Sequence, residues 1–269
     1  VAILNQQIPL VKHCIWCKQI EEETQFQKLA HTIPQSIGGQ HICENVCDKC
    51  NHFFGQHFNG APSVESIIKE TFNVSRIRLI DKNKIGKNKP ITKFSSQYFN
   101  VDLSKNKFSL KPSFRLQKGF QEKIGRQIKK GLYKMFLEEI ERQKGDGHNS
   151  KYDFIREFCR YDIGDYPVFY FERTHGIIMM VTSWITTPEL FLDPDQQFKY
   201  LIREPYFFEF EFLGHVFGIA TSRHWDLAVE NYIKKTSEAK SGLFRKWRMV
   251  KYFNDIDLSL SILDDYHRP

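Results

Sequence analysis

Two Cys-x-x-Cys pairs, Cys14/Cys17 in "HCIWCKQ" and Cys47/Cys50 in "VCDKCNH", constrain this chain more than any other feature. Four thiolates on two tight knuckles can close a tetrahedron around Zn²⁺, and the knuckle amides offset part of the sulfur charge. The spacing predicts a structural zinc held by Cys14, Cys17, Cys47 and Cys50. A disulfide framework would need an oxidising compartment and a higher density of cysteine than 6 in 269 residues. Cys43 and Cys159 lie outside the pattern and read as small core residues.

The segment between and after the pairs carries the chemistry. Through "CIWC", "AHTIPQSIGG" and "ENVCDKCNHFFG" the sequence resembles the HNH endonucleases, the zinc-knuckle subgroup of the ββα-metal nucleases, over about residues 10–58. The resemblance implies a ribbon-and-helix fold in which His31 is the general base and Asn45 orients that histidine across the hairpin. It also implies that Asn51, on the helix, is a ligand of a catalytic metal, while Pro34 and Gly38-Gly39 shape the loop between the strands. One position departs from the family. The residue before the catalytic histidine, which in the family is Asp, Glu or His and ligates the metal, is Ala30 here. His52, His41 and Glu44 are candidates to replace it, with Glu21, Glu22 and Glu23 further away, and the sequence does not choose among them.

The residue types suit the reaction independently of the family. Phosphodiester hydrolysis needs a base for water, a cation to absorb charge on the phosphoryl and leaving oxygens, and a rigid frame. An imidazole suits the first task and a divalent ion the second. A short ribbon on one helix buries too little to be stiff, so a zinc staple supplies the stiffness.

Charge locates a partner. Residues 76–134 hold 17 Lys and Arg against the three acids Asp81, Asp102 and Glu122, a surplus that exceeds the net charge of the whole chain, +7. A polyanion is the natural partner of such a segment. Within it, residues 116–142 read as a helix, with Phe120, Ile124, Ile128, Leu132, Phe136 and Ile140 recurring every four positions. The other side carries Lys123, Arg126, Lys129, Lys130 and Lys134, the expected phosphate contacts. Gly119, Gly125 and Gly131 either weaken this helix or allow a close neighbour.

Elsewhere the pattern is coarser. "APSVESIIKETF" predicts a helix with Ser63 as N-cap, and residues 95–114 a β-hairpin about a Ser-Lys-Asn turn. After a turn-rich linker, "QKGDGHNS" at 143–150, come a short helix (151–161), two hairpins turning at Thr174-His175-Gly176 and at Gly214, and a helix in "SRHWDLAVENYIKK". The fold class is therefore α+β: a small zinc-stapled ββα-metal HNH domain (1–58), a basic helical and hairpin region contacting nucleic acid (59–145), and a mixed α+β module (146–269) for specificity or dimerisation. The longest apolar run, "GIIMMVTSWI", is half of the roughly 20 residues a bilayer span requires. No basic flank, apolar stretch and cleavage site open the chain, so the expected setting is cytoplasmic.

The expected function is a metal-dependent endonuclease hydrolysing DNA, in restriction or anti-phage defence, with structural Zn²⁺ and a catalytic Mg²⁺, Mn²⁺ or other divalent ion. His52 is the first candidate to join Asn51 on that ion. RNA is a possible substrate, and a homodimer would suit double-strand cleavage. The competing expectation follows from Ala30: a zinc-stapled module that binds nucleic acid and no longer cuts.

Overall fold

The computed structural model describes residues 11–82, 95–102, 105, 107–172, 185–190, 192, 206–238, 246–261 and 263. In chain order the helices and strands are α1 (Asp48–Gly55), α2 (Val64–Lys82), β1 (Phe99–Asp102), β2 (Lys107–Leu110), α3 (Pro112–Arg115), α4 (Phe120–Lys144), α5 (Asp153–Tyr161), β3 (Val168–Glu172), β4 (Phe207–Phe212), β5 (His215–Ala220), α6 (Trp225–Glu238) and β6 (Lys246–Met249). This is an N-terminal cysteine cluster followed by a larger α+β region, as the sequence predicts.

Helix α4 is the axis of the fold. Its four-residue apolar row is buried along its whole length, and burying each such side chain stabilises by roughly 1.5–3 kcal/mol. Gly145, left-handed at φ 63°, stops the helix by donating its N–H to Glu141 O. The internal glycines serve close approach. A Cβ on Gly131 would collide with Ile68 of α2, and one on Gly125 with the backbone carbonyl of Lys251. Two elements thus pack against α4 at the spacing only glycine permits.

Helix α2 starts where its cap predicts: the Ser63 hydroxyl accepts the Ser66 N–H at 3.1 Å. The predicted hairpin forms as β1 and β2, antiparallel with Phe99 opposite Leu110; Ser104 and Asn106 of its turn lie outside the described residues. The C-terminal strands form one antiparallel sheet of order β4-β5-β3-β6. Its β4–β5 hairpin turns at Leu213-Gly214, both at positive φ (47° and 83°), which suits the twist of two tightly joined strands. The other predicted turn, Thr174-His175-Gly176, lies outside the described residues.

The sheet's strands carry seven of the chain's 24 phenylalanines. Side chains alternate between faces with period two. Val168 and Tyr170 face the main core, whereas Phe169 and Phe171 join Phe207, Val216, Val229 and Tyr232 in a second cluster under α6. A strand covered on both faces needs apolar residues at successive positions.

That main core is continuous from the cysteine knuckles through α2, α4 and α5 to the sheet. Residues 143–150, expected to be a loose linker, are tied down: Gly147 N–H donates to Glu141 at 2.8 Å, and Arg156 donates to Asn149 O and, from its other nitrogen, to Gly147 O. Among the described residues, no helix is long and apolar enough to cross a membrane.

Candidate functional site

The four cysteines converge. One sulfur of each of Cys14, Cys17, Cys47 and Cys50 lies within 4.8 Å of all the others, and Cys17 and Cys47 Sγ are 3.7 Å apart. Zn–S bonds of about 2.3 Å place tetrahedral sulfurs ~3.8 Å apart, so this donor set fits a structural Zn²⁺. The Cys50 thiol beside it, with the amides of Cys17, Cys47 and Trp16, holds Cys14 down to about 4 against the effect of burial. Burial pushes Cys17 up to about 11. One thiolate, that of Cys14, is thus favoured by the protein, while Cys17 and Cys50 are pushed up and need a cation's charge to ionise. Arg160 Nε adds a donor to Cys50 Sγ at 3.4 Å.

The knuckles are riveted to α4 and α5. Trp16 packs edge-on against Phe54 at 4.7 Å, and its indole N–H donates to Glu138 Oε1 at 3.0 Å. Arg156 Nε donates to Ile15 O at 2.5 Å. Lys134 then connects this frame to the ribbon: its ammonium donates to Glu138 Oε2 at 2.8 Å and to His31 O at 3.1 Å. Burial opposes that charge, but Glu138 and Glu65 outweigh it and hold the ammonium above the usual lysine value. The backbone of His31 is therefore fixed from the knuckle side through Trp16, Glu138 and Lys134. Lys134→Met strands the Glu138 carboxylate and is expected to cost about 3–5 kcal/mol. Denaturant melts measure it, and Lys134→Met with Glu138→Leu should recover most of the loss. Equal losses in the single and double variants would show that the buried pair is not the cause.

His31 lies on a short ribbon, paired antiparallel with Ile42 and flanked by Thr32 N–H to His41 O (3.0 Å) and Cys43 N–H to Ala30 O (2.9 Å). Asn51 is on α1, where its Nδ2 donates to Leu29 O at 3.2 Å. With the donor so used, Oδ1 is the atom left for a cation. His31 and Asn51 line one open cleft of about 410 Å³. The structure therefore brings the predicted base and the predicted metal ligand into one space. Glu65 and Lys69, one helical turn apart on α2, line the same cleft. Neither stands out in the sequence, because a helix that follows the motif closes the cleft and only the fold reveals its angle.

Other expected site residues are elsewhere. Asn45 does not reach His31: its Nδ2 donates to Glu141 Oε1 of α4 at 2.6 Å, making it a tie between ribbon and core. His52 is exposed and pairs with Gln56 at 2.6 Å, outside the cleft, because neighbours on a helix point about 100° apart. His41 pairs with Glu189 at 3.0 Å, and Glu44 is exposed with Lys12 at 3.9 Å. Ala30 is buried in the core, a setting for a methyl group and not for a carboxylate.

The basic row of α4 is also corrected. Lys129, Lys130 and Lys134 have side-chain exposures of 8%, 6% and 3% and pair with Asp165, Asp162 and Glu138. Arg126 is held by Asp162 and Asp165. Because α4 is covered on all sides, its charged row meets carboxylates of the same chain before it can meet a phosphate. Lys123 differs: its ammonium rests on the carbonyls of Asn59 (3.2 Å) and Gly60 (3.5 Å), in the loop that leads to the cleft.

Compared with known proteins, residues 14–64 match the family model described as HNH endonuclease. The match covers about a fifth of the chain and includes the four cysteines, the ribbon, α1 and the cap of α2. No curated protein and no solved structure matches the chain. The match supports a nuclease of the HNH kind and implies interaction with nucleic acid.

Proposed function

We propose that this protein is a metal-dependent endonuclease that hydrolyses DNA phosphodiester bonds at the cleft between the ribbon, α1 and α2. The observation that carries this reading is the shared cleft of His31 and Asn51, two residues twenty positions apart that the zinc frame brings together. The oxygen donors there, Asn51 Oδ1 and the carboxylate of Glu65, are of the type a hard divalent cation takes. A cation bound there supplies positive charge to the scissile phosphate and the departing 3′ oxygen. His31 takes the proton from the attacking water through its imidazole, while its backbone is held by Lys134. Lys69, exposed at the rim, offers an ammonium to a flanking phosphate. Roles in restriction or phage defence, cytoplasmic location and a homodimer making paired cuts remain parts of this proposal.

The test is incubation of the pure, zinc-loaded chain with supercoiled plasmid and Mg²⁺, Mn²⁺, Co²⁺ or Ni²⁺. Nicking that needs an added ion and stops with EDTA supports the enzyme. Ala30 favours a second reading, a zinc-stapled module that binds nucleic acid without cutting. Binding with no cleavage of DNA or RNA under any ion would establish that reading instead.

The positions of the lysines give a separate expectation. Lys69→Ala and Lys123→Ala are each expected to lower the slope of log affinity against log salt by about 0.9, one phosphate contact apiece. Lys129→Ala and Lys130→Ala should leave that slope unchanged and lower the melting temperature, since both are buried ion-pair partners. Filter binding at several salt concentrations decides; a reduced slope in the buried pair would contradict this assignment.

A further inference from the structure

We infer that Glu65 is the carboxylate ligand of the catalytic cation, taking from α2 the role that Ala30 leaves vacant on the ribbon. This rests on the endonuclease reading of the cleft and names the residue that completes it. Among the described residues, Glu65 is the one carboxylate lining that cleft. It lies one position beyond the segment that matches the family model, so no family position assigns it.

Its placement is set from three sides. Ser63 caps α2, which fixes Glu65 in the first turn. Glu65 Oε2 lies 3.8 Å from the point a Gly55 Cβ would occupy, and Gly55 is one helical turn beyond Asn51 on α1. Glu65 Oε1 lies 3.7 Å from the Lys134 ammonium, which itself bonds to His31 O at 3.1 Å. The carboxylate is thus bracketed by the α1 turn that carries Asn51 and by the backbone that carries the base.

Charge agrees with position. The short bond of Lys134 goes to Glu138 at 2.8 Å, so Glu65 is only loosely paired and about a third exposed. A carboxylate in that state retains lone pairs for a cation, and a hard ion held by one carboxamide oxygen alone binds weakly. The other candidates do not line the cleft: His41 faces Glu189, His52 pairs with Gln56, and Glu21, Glu22, Glu23 and Glu44 are exposed outside it.

The experiment measures Mn²⁺ binding to the zinc-loaded full chain by loss of the free-ion EPR signal, with plasmid nicking followed in parallel. Glu65→Gln is expected to weaken Mn²⁺ by at least about tenfold, the scale seen even for outer partners of a metal site, at wild-type zinc content. Glu65→Asp keeps the counter-charge beside Lys134 but withdraws the carboxylate by one methylene, and should weaken Mn²⁺ several-fold. His31→Ala should bind Mn²⁺ as the wild type does. Wild-type affinity in Glu65→Gln, or no retention of Mn²⁺ by the wild type, overturns the assignment. If Mn²⁺ binding depends on Glu65 but the wild type cuts nothing, the ligand assignment stands and the endonuclease reading fails.

Discussion

His31→Ala is expected to lower plasmid nicking by about 10²–10⁴-fold, the range contributed by a positioned general base, while leaving the melting temperature unchanged. The separation of the two effects follows from geometry. What secures residue 31 is its backbone, through the pairing with Ile42 and the bond from Lys134 to its carbonyl, and both survive the substitution. The imidazole is half-buried at the wall of the cleft. Truncating it removes a proton acceptor from the cleft without leaving a cavity in the core. His31→Asn and His31→Gln, which keep polarity but not basicity, should be as slow. Nicking at the wild-type rate in His31→Ala, with metal dependence intact, would assign the base to another group.

Loss of zinc is expected to act on stability with the same decisiveness. Cys50→Ser should hold less than one zinc per chain and unfold before any transition the wild type shows; chelation of the wild type by EDTA at raised temperature should do the same. Structural zinc contributes roughly 10–16 kcal/mol in small zinc-folded peptides, against a net stability of about 5–15 kcal/mol for a whole domain. Here the effect should spread beyond the knuckles. Cys14, Cys47 and Cys50 are buried in the same core as Trp16, Phe54 and the apolar row of α4, and Arg160 of α5 contacts the Cys50 sulfur. Circular dichroism together with zinc titration by a metallochromic dye measures both quantities. A Cys50→Ser chain that melts like the wild type would mean that the four sulfurs do not share a metal.

Legibility in the sequence followed the range of the physical signal. The four-cysteine cluster was readable because a metal-type site needs only the local spacing of each pair. Helix α4 was readable because its apolar period is unbroken over six successive positions, and the β4–β5 turn because Gly214 demands a tight reversal. What failed was the assignment of faces. Lys129, Lys130 and Lys134 look like a solvated stripe until Asp162, Asp165 and Glu138 are brought against them. Asn45 looks like a partner for His31 until α4 presents Glu141 to it. Glu65 could not be found at all from a one-dimensional reading, because its relevance depends on the angle at which α2 returns past α1.

The bonds from Trp16 to Glu138, from Arg156 to Ile15 and from Asn45 to Glu141 span 122, 141 and 96 positions of chain. Recombination that lifted only the matched stretch into another gene would sever all three and lay bare the indole and its phenylalanine neighbour. A transplantable unit must carry the long helix and the one after it, so heredity can trade this centre only as a much larger parcel than its signature suggests.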